Sequence, residues 1–192
     1  MAVKSKEGKN IESESLEKYE RILTKEKLNS MKKAAVLLAL YKKDNEWHFP
    51  LIKRPMHERN HPGQIALPGG AKDNNEELEH TAVREAFEEV GIKIENVNVI
   101  GQLTPMPVPV SGYLVYPFIG VLKKEPEWIL NKKEVDELII VKVSELIRAD
   151  NNYSEIWELH GKNVEVPHFR IEERVVWGAT ASVLSEFLDL IH

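Results

Sequence analysis

The chain has 192 residues, 42% hydrophobic and 30% charged, proportions that suit one globular domain with a sizeable core and exclude a disordered chain. A formal net charge of −5 leaves no basic surface to hold nucleic acid, and the absence of cysteine excludes disulfides, Cys-based zinc sites and a thiol nucleophile. No apolar run approaches a membrane span and the opening MAVKSKEGKN lacks a signal-peptide core, so no membrane partner is expected and the cytoplasm is the expected compartment.

Residues 1 to about 12 are polar and Lys/Glu-rich. From Ser13 to Leu28, Leu16, Tyr19, Ile22 and Leu23 recur near helical spacing, which predicts an amphipathic helix. Residues 1–30 are thus expected to form a tail and helix ahead of a main domain over 31–192. Ala34 to Tyr41 is an apolar run that predicts a buried strand, and Lys43 to Glu46 turn it into a second strand, Trp47 to Lys53. Leu67-Pro68-Gly69-Gly70 leads into a helix with Asn74 or Asn75 as candidate N-cap and Gly91 as its stop. Val97–Leu103, Tyr113–Leu122 and Val135–Val143 read as strands, and Ser144–Ile147 as a helical turn. Trp157–Leu159 and Val164–Phe169 read as a hairpin across His160 to Asn163, and Ala179–Ile191 as a closing amphipathic helix. This order lacks the regular strand–helix alternation of a doubly wound fold.

The helix before Gly91 carries the chemistry. Glu85, Glu88 and Glu89 fall at i, i+3 and i+4, so three carboxylates crowd one face, while Ala82, Val83, Ala86 and Val90 make an apolar face suited to a sheet. Glu88 and Glu89 are expected to face solvent. Like charges so close call for a neutralising partner, and a hard divalent cation shared with a substrate phosphate is the natural one. An ordinary solvated helix would also explain an Arg84–Glu88 pair at i,i+4. It would not explain the whole pattern: Gly70, Glu76, Arg84, Glu85, Glu88, Glu89 and Gly91 at fixed spacing match by chance on the order of once in a million.

That pattern, GAKDNNEELEHTAVREAFEEVGI, resembles the Nudix box of hydrolases that cleave a nucleoside diphosphate linked to another moiety. The resemblance implies an α/β (α+β) fold, an α/β/α sandwich around a mixed β-sheet. It also implies Mg²⁺ or Mn²⁺ held by Glu85, Glu88 and Glu89, and Arg84 steadying the cluster with Glu76 as partner. A further carboxylate is expected outside the box, with Glu134, Asp136 and Glu137 all candidates. The expected partner is a small-molecule substrate, and the family leaves room for a homodimer.

The preceding stretch LIKRPMHERNHPGQIALPGG, together with Val175 to Leu184, resembles the coenzyme A pyrophosphatase branch over roughly residues 33 to 190. Arg54, Arg59, Gly63 and Pro68-Gly69-Gly70 match its pattern. Pro55, Ile52 and Leu67 depart from it, in shape more than in charge. Two guanidinium forks suit a substrate with a pyrophosphate and a further phosphate, although exposed arginines also pair with acidic surfaces. The implied substrate-binding residues are Arg54, Arg59, Gly69 and Gly70, and the implied reaction turns coenzyme A or an acyl-CoA into 3′,5′-ADP and a 4′-phosphopantetheine derivative. Hydrolysis of ADP-ribose or another nucleotide, and non-catalytic nucleotide binding, are the alternatives. His57-Glu58-Arg59-Asn60-His61 spells a zinc-protease motif, but that motif works on a helix, and Pro55 and Pro62 bracket it.

Overall fold

In a computed structural model, which describes residues 24–58, 61–148, 152–159 and 162–191, the apolar run becomes β1 (Lys32–Lys43). A strand without a polar face must be covered on both sides. Ala35, Leu37, Ala39 and Tyr41 belong to one core and Leu38 and Leu40 to the other. β1 turns into β2 (Glu46–Lys53) through Asp44 and Asn45, both left-handed at φ 49° and 64°, as a two-residue type I′ hairpin requires.

Around this hairpin an eight-stranded sheet assembles. β7 (Tyr113–Leu122) runs parallel to β1, from Lys32 opposite Tyr113 to Leu40 opposite Val121. The remaining pairs are antiparallel. β3 (Ile65–Ala66) and β8 (Glu137–Lys142) flank β2, β4 (Gly69–Ala71) lies against the first half of β1, and β5 (Val97–Gln102) and β6 (Met106–Val108) pair with β7.

One outer layer is the box helix, whose Ala82, Ala86 and Val90 pack on Ala35, Leu37, Tyr116 and Phe118 of the sheet. Among the described residues the α-helices are, in chain order, α1 (Lys25–Ser30), the box helix α2 (Leu78–Val90), α3 (Val143–Leu146) and α4 (Gly178–Ile191). The opposite layer is α4 together with a three-stranded antiparallel sheet, β9 (Asn152–Leu159), β10 (Lys162–Ile171) and β11 (Arg174–Trp177). Phe169, Ile171, Val176, Leu184 and Phe187 bury against Leu38, Phe49 and Leu51 there. The mixed sheet between outer layers is the expected architecture, and no helix among the described residues is long and apolar enough to cross a membrane.

Several expectations change in detail. The predicted helix over 13–28 enters the described residues only at α1. Neither Asn74 nor Asn75 caps α2; Glu77 occupies that position without a side-chain bond. The asparagines instead sit in a turn that lets the Glu76 carboxylate accept the Asp73 N–H at 2.9 Å. Gly91 does end the helix, left-handed at φ 79°. β3, β4 and β6 span two or three residues, too short for periodicity to reveal. β11 follows a Glu172-Glu173 turn without Gly or Asn, and Glu172 itself carries the positive φ of 55°.

Candidate functional site

The site is built where the glycine strand β4 crosses the carboxylate face of α2. Gly69 donates its N–H to Glu89 Oε2 at 2.9 Å. A Cβ on Gly70 would lie 2.5 Å from the Glu85 carboxyl carbon, so only a bare backbone lets the strand approach that closely. Lying under this strand, Glu89 is 3% exposed, which corrects the expectation that it faces solvent. The cause is positional: Glu89 shares the inner edge of α2 with Glu85 one turn back, and β4 closes over it. Glu88 alone is on the outer edge, its side chain 47% exposed.

Arg84 gathers the acidic chains. Its Nε and Nη2 donate to the two oxygens of Glu76 at 3.1 and 2.8 Å, Nη1 to Glu85 at 2.9 Å and Glu88 at 3.0 Å, and Nη2 to the Ala71 carbonyl at 3.1 Å. The expected Arg84–Glu76 pair and the plain i,i+4 pair with Glu88 therefore coexist. Arg84's hydrogen bond holds the Glu76 carboxyl down at about 2, and the same contact, led by Glu76, raises the arginine further into its charged state.

Of the three carboxylates left open outside the box, the structure brings Glu134 to the cluster. Oxygen atoms of Glu85, Glu89 and Glu134 all lie within 4.8 Å of one another. Helix α2 leaves its last carbonyls without helical partners, and the chain after β7 supplies them: Ile129 N–H donates to Val90 O at 3.1 Å and Asn131 N–H to Glu89 O at 3.0 Å. The Asn131 carbonyl then accepts the N–H groups of Glu134 and Val135, and Asp136 N–H donates to Lys53 O at 2.9 Å. Glu134 is thus delivered by a loop strung between α2 and β2. Asp136 faces Lys53 at 3.5 Å and Glu137 receives Arg174 at 2.5 Å, so both are engaged elsewhere.

The electrostatics fit a cation. Burial pushes the Glu89 carboxyl up to about 8, against the Gly69 N–H and the Arg54 charge, with Glu85 and Glu134 adding to the rise. Burial also raises Glu85, opposed by Arg84 and assisted by Glu88 and Glu134. Three converging carboxylates, two of them destabilised as anions, are the donor set a hard divalent ion takes.

Arg54 extends from the end of β2 and pairs with Glu58 at 2.8 Å, while its backbone N–H donates to Gln64 O at 2.9 Å. Arg59 lies outside the described residues, as does Asn60. The stretch from Met56 to Glu58 is a turn rather than a helix, and His61 is left-handed at φ 59°, so the zinc-protease spelling lacks the helical frame it needs.

Residues 31–160 match the model of the NUDIX domain. A relative from Enterobacter sp. (strain 638), named "Uncharacterized Nudix hydrolase NudL", is 34% identical over 156 residues, covering 81% of this chain and 80% of its own. Among solved structures, the Nudix hydrolase RenU from M. Smegmatis superposes with a TM-score of 0.53 at 26% identity, over 60% of this chain and 73% of that one. A MutT/nudix family protein from Enterococcus faecalis reaches 0.57 at 18% identity, over 93% and 74%, and shares the fold.

Proposed function

This chain belongs to the Nudix family of hydrolases, and from that membership we propose that it hydrolyses the diphosphate of coenzyme A or an acyl-CoA with Mg²⁺ or Mn²⁺. The observation that carries the hydrolytic reading is the convergence of Glu85, Glu89 and Glu134 under the glycine strand. A bound divalent cation would neutralise the diphosphate and make water a better nucleophile at neutral pH. The chain's own residues then have distinct tasks. Glu85, Glu89 and Glu134 would hold the ion, and half-exposed Glu88, tied to the cluster through Arg84, would be available to a second one. Arg84 fixes Glu85 and Glu88 in place through its fork. Bare backbone at Gly69 and Gly70 lets β4 press against β1 and the Glu85 carboxylate, which keeps the cluster tight beneath the strand.

In the reaction a water oxygen forms a bond to one phosphorus as the bridging P–O bond breaks. The water's proton passes to a carboxylate of the cluster, and the leaving phosphate departs as an anion. Products would be 3′,5′-ADP and a 4′-phosphopantetheine compound. Support for coenzyme A comes from the spacing of Arg54, Arg59, Gly63 and Pro68-Gly69-Gly70, which resembles the coenzyme A branch; a Nudix enzyme for ADP-ribose or another nucleotide would share the box without the Arg54/Arg59 pattern. A non-catalytic binding module would leave the complete carboxylate cluster equally unexplained.

Separation of products after incubation with coenzyme A and Mg²⁺ tests the reading. We expect equal amounts of 3′,5′-ADP and 4′-phosphopantetheine, and neither in the presence of EDTA. Faster cleavage of ADP-ribose than of coenzyme A would retire the substrate assignment.

A further inference from the structure

A cleft of about 390 Å³ opens where the end of the main sheet meets the small C-terminal sheet. Its floor is a cross-strand row, Ile65 of β3, Lys53 of β2 and Glu137 of β8, directly paired and therefore on one face. Gln64 and, from β11, Arg174, Val175 and Trp177 also line it. Arg174 ties β11 to the floor through Glu137 at 2.5 Å. Lys53 reaches Asp136 only at 3.5 Å, with both side chains more than a third exposed, so its ammonium is loosely held. Short stretches of chain join the cleft to the carboxylate cluster: Glu137 is three residues from Glu134, Ile65 four from Gly69, and Lys53 adjoins Arg54.

An indole, an amide, a carboxylate with its paired guanidinium, and an ammonium line this one opening. An indole face accepts a stacked base, a glutamine amide matches the amino and ring-nitrogen edge of adenine, and a carboxylate accepts from an exocyclic amine. The volume suits a nucleoside-sized group. We infer that this cleft seats the nucleoside end of the substrate, an adenine stacked on Trp177 with its amino edge at Gln64 and Glu137, and Lys53 facing a phosphate on the ribose. Its assignment to a substrate rests on the reading that the diphosphate lies on the carboxylates; its affinity for an adenine nucleotide does not.

The test is calorimetric titration of 3′,5′-ADP and AMP into the full chain in EDTA, where hydrolysis plays no part. Binding is expected without metal, weakened about tenfold or more by Trp177→Ala and largely retained by Trp177→Phe, which keeps an aromatic face. Lys53→Met should narrow any preference for 3′,5′-ADP over AMP. Quenching of indole fluorescence by nucleotide should fall in Trp177→Phe, a readout that stands even if Trp177→Ala does not fold. No binding of either nucleotide, or full affinity and undiminished quenching in the Trp177 variants, would overturn the inference. Trp177-dependent binding by a protein that fails to cleave coenzyme A would uphold the cleft and discard the substrate proposal. Coenzyme A cleavage with KM unchanged by Trp177→Ala and Lys53→Met would do the reverse.

Discussion

Gly70 and Gly69 separate two effects of a single methyl group. At Gly70 a Cβ would press on the Glu85 carboxylate at 2.5 Å, a side-chain end that can swing away. Gly70→Ala should therefore keep the fold and lose about 100-fold or more in kcat, the size expected when electrostatic support for the transition state is displaced. At Gly69 the Cβ would meet the Ala35 carbonyl at 2.3 Å and Val36 Cα at 2.6 Å, backbone that cannot swing. Gly69→Ala should lower the melting temperature as well, by a loss of about 2 kcal/mol or more. Glu89 gives the site a pH signature. Its carboxyl sits at about 8 in the folded chain against an ordinary 4.5, so the fold keeps a proton that the unfolded chain releases. Stability without metal should then fall as pH rises from 4.5 toward about 8. Melting in EDTA across that window should show a shallower slope for Glu89→Gln; an equal slope would mean that Glu89 is ionised throughout. Spacing alone made the Glu85–Glu89 face and the Arg84–Glu76 pair legible. It could not show that Glu89 is buried, because burial depends on β4 crossing the helix, and a three-residue strand has no period to read.

The carboxylate Glu134 is a property of an element rather than of a motif. Its loop hangs from the last turn of α2 by two backbone bonds and folds around Asn131, whose Oδ1 accepts the Lys133 N–H at 3.2 Å. Asn131→Ala removes that acceptor, and a loss of about 1 kcal/mol is expected. The more telling effect should be on metal affinity, several-fold weaker as Glu134 loses its fixed position, with Asn131→Asp restoring most of it. Unaltered metal affinity in Asn131→Ala would show that the backbone bonds suffice. Sequence could offer Glu134, Asp136 and Glu137 only as equals, since the choice is made by hydrogen bonds to α2 and β2 from distant parts of the chain. Elements with strong periodicity or punctuation were legible. Tyr113–Leu122 keeps its predicted bounds, and the hairpin of β1 and β2 turns at Asp44-Asn45, residues suited to positive φ. β11 was not legible as a strand, although it lines the cleft.

On the scale of the molecule, two outer layers meet the sheet with unlike content. α2 brings small apolar residues to one face and carboxylates to its rim, while α4 and the C-terminal sheet close the other face with aromatic and aliphatic bulk. The loop that carries Glu134 is tied to the end of β2 by the Asp136–Lys53 backbone bond, and Lys53 lines the cleft there. On the proposed reading, one rigid strand would set the spacing between the diphosphate and the group attached to it. The fold class was legible through the box resemblance; the three-stranded sheet beside α4 was foreseen only as a hairpin. The central proposal is that Glu134 would join Glu85 and Glu89 in holding the metal. Calorimetric titration of Mn²⁺ into the intact chain and into Glu134→Gln, with coenzyme A turnover measured on the same samples, addresses this directly. Affinity should be at least about tenfold weaker and turnover at least about 100-fold lower in a variant that melts normally. Unchanged Mn²⁺ affinity and unchanged turnover in folded Glu134→Gln would contradict the proposal.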